Sequence, residues 1–242
     1  VAPFPAGTLS TIPGPAMASA DCIRITVHGR GGHASTPAST VDPVVMAAAI
    51  VLRLQTVVSR EIEPGTPAVL TVGCLTAGTK ANIIPSSAEI QINIRTYSEE
   101  VRTAMLDAIR RIVTAECAAS NSTKDPEFEY FDHAPLTDND PGVTATVAEA
   151  FCGFFGEDAI FQPPRVLGSE DFSDIANGLK APYAFWFFGG TDPEAFRAAE
   201  EAGRIASDIP VNHSPHYAPA IQPTLDTGTA ALVAAALAWL GR

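Results

Sequence analysis

The sequence predicts a mixed α/β chain in two parts: a β-α-β-β-α-β unit over residues 20–133 and, behind it, an incomplete α/β sheet with flanking helices. Three observations predict this. Apolar residues alternate with a period of two in separated runs, as half-buried strands require. Between those runs they recur at helical spacing. Residues 184–188 form a near-continuous apolar run, the mark of a strand covered on both faces.

Residues 1–19 contain Pro3, Pro5, Pro13 and Pro15 with Gly7 and Gly14, which predicts an irregular connector or strand remnant rather than a helix or a ladder-paired strand. From Asp21, Cys22, Ile23, Ile25 and Val27 alternate with Arg24, Thr26 and His28 as a strand, ended by Gly29, Gly31 and Gly32. Asp42-Pro43 caps a helix that runs to the neighbourhood of Arg60, with Val44, Val45, Ala48, Val51, Leu52 and Val58 expected on its apolar face. Residues 68–75 and 88–97 are β-branched runs split by a turn-rich stretch, and predict two adjacent antiparallel strands. Ser98-Glu99-Glu100 opens a second helix with Val101, Met105, Ala108, Ile109, Ile112 and Val113 at helical spacing, and residues 127–131 close the unit as a short strand. This order is the ferredoxin-like split unit, with both helices on one sheet face and the other face or an edge left to be covered. After Pro135 come a helix over residues 143–155, an irregular loop over 161–174, the apolar strand, and a last helix from Thr224. That is too few strands for a whole sheet, so this part reads as half of a domain.

Fifteen basic against 27 acidic residues leave a net charge of −12, which repels phosphate backbones and anionic lipid surfaces and argues against nucleic-acid and membrane partners. With 46% hydrophobic residues over 242 positions, the chain can bury a large core. Cys22, Cys74, Cys117 and Cys152 lie far apart with no C-x-x-C pair, which predicts reduced, mostly buried thiols in a cytoplasmic protein. The apolar stretch at residues 230–240 is shorter than the roughly 20 residues that span a bilayer and is expected to be a core helix. The chain starts at Val1 without a basic segment followed by an apolar one, so it is expected to be processed or incomplete rather than led by a secretory signal.

Imidazoles dominate the candidate chemistry, because they ligate metals and change charge near neutral pH. His28 and His133 lie on or at the end of strands and are expected to be solvated surface groups. His33 stands in the loop GRGGHASTP, whose glycines allow a tight bend that leaves the ring accessible, although a loop histidine without a role would look the same. His213 and His216 lie in NHSPHYAP, and their spacing alone does not make a metal pair. Glu170-Asp171, in LGSEDFS, either caps a following helix or takes part in function. Asn82 follows a glycine turn in TKANIIPSS, and Arg95 on its isoleucine-rich strand can bind a carboxylate bidentately or pair with a neighbour. No GxxxxGK[ST], GxGxxG after a strand, HExxH or GxSxG motif is present, which removes phosphate cradling and serine hydrolysis.

Taken together, GRGGHASTP, VDPVVMAAAIVLRLQTVVSRE, VGCLTAGTKANIIPSSAEIQINIRT, LGSEDFS and NHSPHY resemble the M20 metallopeptidase family, and within it the aminoacylase, hippurate hydrolase and auxin-conjugate hydrolase branch. The resemblance implies that residues 20–133 are a lid and dimerisation domain inserted in an α/β metallohydrolase catalytic domain, of which residues 1–19 and 134–242 are parts. It implies a homodimer formed through residues 20–133, and an N-acyl amino acid or short peptide substrate cleaved by metal-activated water. It also implies two divalent ions per complete site, for which zinc, manganese or cobalt would suit histidine and carboxylate ligands. By the same resemblance His213 is a metal ligand and His33 the lid histidine that stabilises the oxyanion in the partner subunit's site. Asn82, Arg95 and Glu170 are then substrate-binding residues. The family's Cys-Gly-His motif, its Glu-Glu pair and a further histidine would precede Val1, so the metal site is expected to be absent or incomplete in this chain and the chain inactive alone. The alternative is a non-catalytic dimerisation or ligand-binding module.

Overall fold

The computed structural model of the chain describes residues 1–161 and 167–241. Strands β1 (Ala2–Pro5), β2 (Leu9–Thr11) and β3 (Gly14–Met17) are followed by β4 (Ser19–His28), β5 (Gly32–His33) and helix α1 (Pro43–Thr56), which ends in one wide turn over Val57–Glu61. Next come β6 (Ala68–Ala77), β7 (Ile83–Ile84), β8 (Ser87–Thr96), α2 (Glu99–Ala119) and β9 (Glu127–Ala134). The rest is β10 (Thr137–Asn139), α3 (Pro141–Phe155), α4 (Phe172–Leu179), β11 (Trp186–Thr191), α5 (Pro193–Glu201), α6 (Ile205–Asp208) and α7 (Ile221–Leu240). The chain divides into two compact units: unit 2 is Met17–Thr137 with Leu167–Asp171, and unit 1 is Val1–Ala16 with the stretches that start at Asp138 and Phe172.

Unit 2 is the expected β-α-β-β-α-β arrangement, a four-stranded antiparallel sheet in the order β6-β8-β4-β9. Ile23, Ile25 and Val27 of β4 and Ile90, Ile92 and Ile94 of β8 point to one face, where they meet Met46, Ile50 and Leu54 of α1 and Met105, Ile109 and Val113 of α2. Each such side chain contributes roughly 2 kcal/mol when fully withdrawn from water. Both helices start as the sequence requires: the Asp42 carboxylate accepts the Val44 N–H, with Pro43 in the first turn, and the Ser98 hydroxyl accepts the Val101 N–H.

The buried stripe of α1 departs from expectation. It consists of Met46, Ala47, Ile50 and Leu54, while Val45 and Leu52 are 66% and 74% exposed. The helix is apolar on two sides, so periodicity alone could not say which side the core would take. The sheet's free face is polar, with Arg24 on β4 pairing Glu129 at 2.5 Å and Glu89 at 3.4 Å, and stacking its guanidinium 4.9 Å from the Phe131 ring centroid. A face so paired is at home in water.

In unit 1, β11 is central in a three-stranded sheet, parallel to β1 and antiparallel to β2, and β3 pairs with β10 in a separate ribbon. Three short paired strands therefore run where an irregular connector or strand remnant was expected. The prolines Pro3 and Pro5 are tolerated because, among the described residues, β1 is an edge strand of its sheet. Leu9, Val147, Phe151, Ala184, Ala231 and Ala235 form its core, and Phe196, Ala199 and Ile209 a smaller one. The loop expected over residues 161–174 ends earlier than predicted, since α4 starts at Phe172; its part at residues 162–166 lies outside the described residues. Helices α5 and α6 had no counterpart in the sequence reading.

The apolar run expected to be buried on both faces begins at Ala184, but the strand itself starts at Trp186, and Trp186, Phe187 and Phe188 are only half-buried. Phe185, Trp186 and Phe188 line an apolar groove of about 500 Å³ with Leu225 and Leu232 of α7. Helix α7 is likewise not the enclosed core helix expected: Thr224, Thr227, Ala231 and Ala235 are buried, but Leu232, Leu237 and Leu240 are 63%, 60% and 82% exposed. By length and composition both Pro43–Glu61 and Ile221–Leu240 are long and apolar enough to cross a membrane; the first is the core helix of unit 2. The thiols also differ from expectation, since Cys117 is buried, Cys22 and Cys74 half-buried and Cys152 exposed on α3. Burial pushes the Cys117 thiol up to about 11.

Candidate functional site

In unit 2, His33 is exposed and sits on the two-residue strand β5, paired with Ile83 of β7, so that Asn82 stands beside it. The Asn82 carbonyl accepts the Ala34 N–H at 3.0 Å. This approach depends on glycine: a Cβ on Gly29 would lie 2.2 Å from the Val41 carbonyl oxygen, and one on Gly31 2.7 Å from that of Ile84. Residues His33 to Thr36 then turn, the Thr36 N–H donating to the His33 carbonyl at 3.0 Å. The His33 ring folds onto this turn, with Nδ1 2.7 Å from the Ser35 hydroxyl and 3.2 Å from the Ser35 backbone nitrogen.

Arg95 lies at the other end of the unit. Its register partner on β4 is Ala20, whereas the β4 residue nearest the His33 loop, His28, pairs with Ser87. Its guanidinium donates to the Leu167 carbonyl at 2.7 Å and to the Asn93 side-chain oxygen at 3.0 Å, and reaches the Ser169 hydroxyl at 3.5 Å. Arg95 is thus tied to the LGSED loop that carries Glu170, whose carboxylate accepts the Asp171 N–H at 3.0 Å. The structure sets Asn82 beside His33 and ties Arg95 to the loop that carries Glu170, without a contact to Glu170 itself among the described residues, and keeps the two groups apart.

Neither His28 nor His133 is a free surface group. His28 Nε2 lies 3.3 Å from a Glu127 carboxylate oxygen, and His133 Nδ1 lies 3.0 Å from that of Asp21. The Asp21 side chain is 3% exposed and accepts two hydrogen bonds of 2.7 Å from Arg102, which also pairs Glu99 at 2.6 Å. The Asp21 hydrogen bonds hold the Arg102 guanidinium above even its usual high range. The sequence held no sign of this cluster, because its members are scattered between Asp21 and His133.

In unit 1, His213 is exposed and adopts φ +70°, a left-handed conformation that non-glycine residues rarely take. Such strain, of order 1–3 kcal/mol, tends to persist where a function needs it. The loop is anchored near the carboxyl end of β11: the Ala220 N–H donates to the Gly190 carbonyl at 2.8 Å. A Cβ on Gly190 would meet the Tyr217 hydroxyl at 3.5 Å. Burial raises the Tyr217 phenol above its ordinary range.

The comparisons with known proteins point one way. Residues 18–121 match the family model described as the peptidase dimerisation domain of the M20 type. Over 77% of its length the chain is 37% identical to thermostable carboxypeptidase 2 of Saccharolobus solfataricus, covering 46% of that protein. Over 84% it is 34% identical to the N-acetylcysteine deacetylase of Bacillus subtilis, covering 53% of it. The crystal structure of a dinuclear metal-binding peptidase of the M20 family from Bacillus subtilis superimposes with a TM-score of 0.61 at 26% identity, over 83% of this chain and 52% of that one.

The chain belongs to the M20 peptidase family.

It spans about half the length of the curated M20 relatives it matches. A divalent-metal centre is implied by this membership, and the residues present can be tested against it. Among the described residues no three His, Cys, Asp or Glu side chains come together as a cation cage. His213, the ligand expected from the resemblance, would supply one imidazole, whereas hydrolytic zinc sites use at least three protein ligands. These residues alone therefore do not fit the M20 metal centre.

Proposed function

We propose that the full-length protein is a metal-dependent hydrolase of the amide bond in N-acyl amino acids or short peptides, acting as a homodimer. In this reading His213 is one metal ligand, the other ligands and the general base come from sequence outside these 242 residues, and this chain alone is inactive. His33 donates a hydrogen bond to the oxygen of the scissile carbonyl as it gains charge. Asn82, Arg95 and Glu170 hold the substrate.

The observation that supports this most is the separation of the lid residues. From Ser87 beside the His33 loop to Arg95, β8 advances roughly 26 Å at about 3.3 Å per residue. One small substrate cannot touch His33 and Arg95 of the same lid. A homodimer that points the His33 end of one lid at the site of its partner would let both groups act.

The unit offers one edge suited to that pairing. The edge strand β9 carries Glu127, Glu129 and Asp132, charges that discourage strand addition, while the opposite edge strand β6 has none. Helix α1 lies against β6 and presents Val45, Ala48 and Leu52 as an exposed apolar stripe. The double variant Val45→Glu/Leu52→Glu is therefore expected to sediment as a monomer at concentrations where the parent is a dimer. A variant that remains dimeric would move the interface elsewhere.

Catalysis is tested by His33→Ala in the full-length protein. Loss of one oxyanion donor is worth roughly 3 kcal/mol, so kcat should fall about 10²-fold or more. The melting temperature should stay unchanged, because the ring is exposed. Unaltered turnover of N-acetyl amino acids and dipeptides would overturn the reading.

A further inference from the structure

We propose that Ser35 is a positioning residue that fixes the His33 ring in a single neutral tautomer, with Nδ1 unprotonated and Nε2 carrying the hydrogen. The inference rests on two contacts to the same nitrogen. The backbone N–H of Ser35 donates to Nδ1 over 3.2 Å, and the Ser35 hydroxyl oxygen lies 2.7 Å from it. A backbone N–H can only donate, so in the neutral ring Nδ1 is the acceptor and the proton is left to Nε2. Rotation of the hydroxyl hydrogen towards Nδ1 adds a second donor to the same lone pair. Among the described residues no hydrogen bond engages Nε2.

The local fold holds this geometry in place. The His33 carbonyl accepts both the Thr36 N–H at 3.0 Å and the Thr36 hydroxyl at 3.2 Å, which closes the turn and sets Ser35 over the ring. The preceding residues are held by the pairing of β5 with β7. Ring and donor are two residues apart on one turn, which the Asn82 carbonyl holds from outside by accepting the Ala34 N–H at 3.0 Å.

The functional consequence rests on the reading of His33 as a donor to the substrate carbonyl. A neutral imidazole can play that part only through a nitrogen that carries hydrogen. The opposite tautomer would present a lone pair to an oxygen gaining negative charge, which repels rather than stabilises. Ser35 would thus keep His33 in its useful form without a net charge on the ring.

Two measurements test this separately. The first is ring 15N spectroscopy of this chain labelled at histidine, with the His33 signals identified by their loss in His33→Ala. At a pH where the ring is neutral, Nδ1 should show the shift of an unprotonated nitrogen and Nε2 that of a protonated one. Ser35→Ala, which loses the hydroxyl but keeps the backbone donor, should move both only part of the way towards a mixture, and Ser35→Thr should restore them. A mixed or reversed pattern in the parent chain would overturn the proposal whatever the enzyme does.

The second uses the full-length protein. Because the backbone donor survives, Ser35→Ala should lower kcat only about 3- to 10-fold, the worth of one ordinary hydrogen bond, with KM unchanged and Ser35→Thr close to the parent. If His33→Ala lowers kcat strongly and Ser35→Ala does not, the positioning role is refuted while the donor role stands. If neither lowers it, the donor role itself has failed, and the 15N spectra alone decide the tautomer.

Discussion

Replacing His213 by alanine in the full-length protein is expected to remove bound metal and to lower kcat beyond the 10–100-fold that the loss of a mere supporting group around a metal costs. The expectation follows from position and strain together. His213 stands in a left-handed conformation at φ +70°, on a loop tied to the end of the central strand β11. The residue is exposed, so burial of its side chain is not what offsets that conformation. A second variant separates ligand from scaffold. Glycine takes φ +70° without penalty, so His213→Gly should unfold within about 1 kcal/mol of the parent, or be more stable, while still losing metal. Elemental analysis of the purified proteins reads the first outcome and thermal unfolding the second. Full metal occupancy in either variant would remove His213 as a ligand, and a large loss of stability in His213→Gly would make it structural.

Asp21→Ala should destabilise unit 2 by about 3 kcal/mol, near the low end of the cost of deleting one partner from a buried ion pair. The Asp21 side chain is 3% exposed and holds both Arg102 and His133. Its removal leaves the Arg102 guanidinium, 20% exposed, with Glu99 as its remaining carboxylate. That remaining pair is why the loss is not larger. Chemical denaturation measures it, and Asp21→Asn, which keeps the hydrogen-bond acceptor but not the charge, should lose less. A change below about 1 kcal/mol would mean the cluster is solvated in a way its burial does not suggest.

Much of unit 2 was legible because its two periods are clean. Ile90, Ile92 and Ile94 alternate without interruption, and Met105, Ile109 and Val113 fall on one helical stripe beneath a serine cap. The errors have identifiable physical sources. Pro3 and Pro5 forbid a central strand but not an edge strand, and the difference lies in a partner, β11, far along the sequence. Val45 and Leu52 are as apolar as Met46 and Ile50, so the face of α1 that is buried was decided by the sheet rather than by the helix. The ladder of β5 with β7 is two residues long, below any periodicity, yet it sets Asn82 beside His33. His133 looked like a terminal strand residue because the carboxylate it meets, Asp21, belongs to the other end of the unit.

The candidate residues were named from motifs, not from spacing, and their roles are proposals. GRGGHASTP pointed to His33 because its glycines allow a tight bend that leaves the ring accessible; the structure adds a second reason for two of them, since a Cβ on Gly29 or Gly31 would clash with the carbonyls of Val41 and Ile84. Ser35 went unnoticed, since a serine two residues after a histidine has no distinguishing pattern until the turn is closed. The division of the lid residues between two ends of β8 was equally invisible, for it depends on register and not on composition.

The strands that open and close unit 2 run side by side, with Ala20 opposite Ala134 and Asp21 opposite His133. A polypeptide module whose two doorways adjoin can be set into the loop of a host protein without stretching that loop. It can equally be cut out and given free ends without leaving a gap in its sheet. Transplantation of Met17–Thr137 between host proteins is thus a change in one loop of the recipient; the bonds from Asp21 to Arg102 and His133 travel with it, whereas the Leu167–Asp171 segment that holds Arg95 does not.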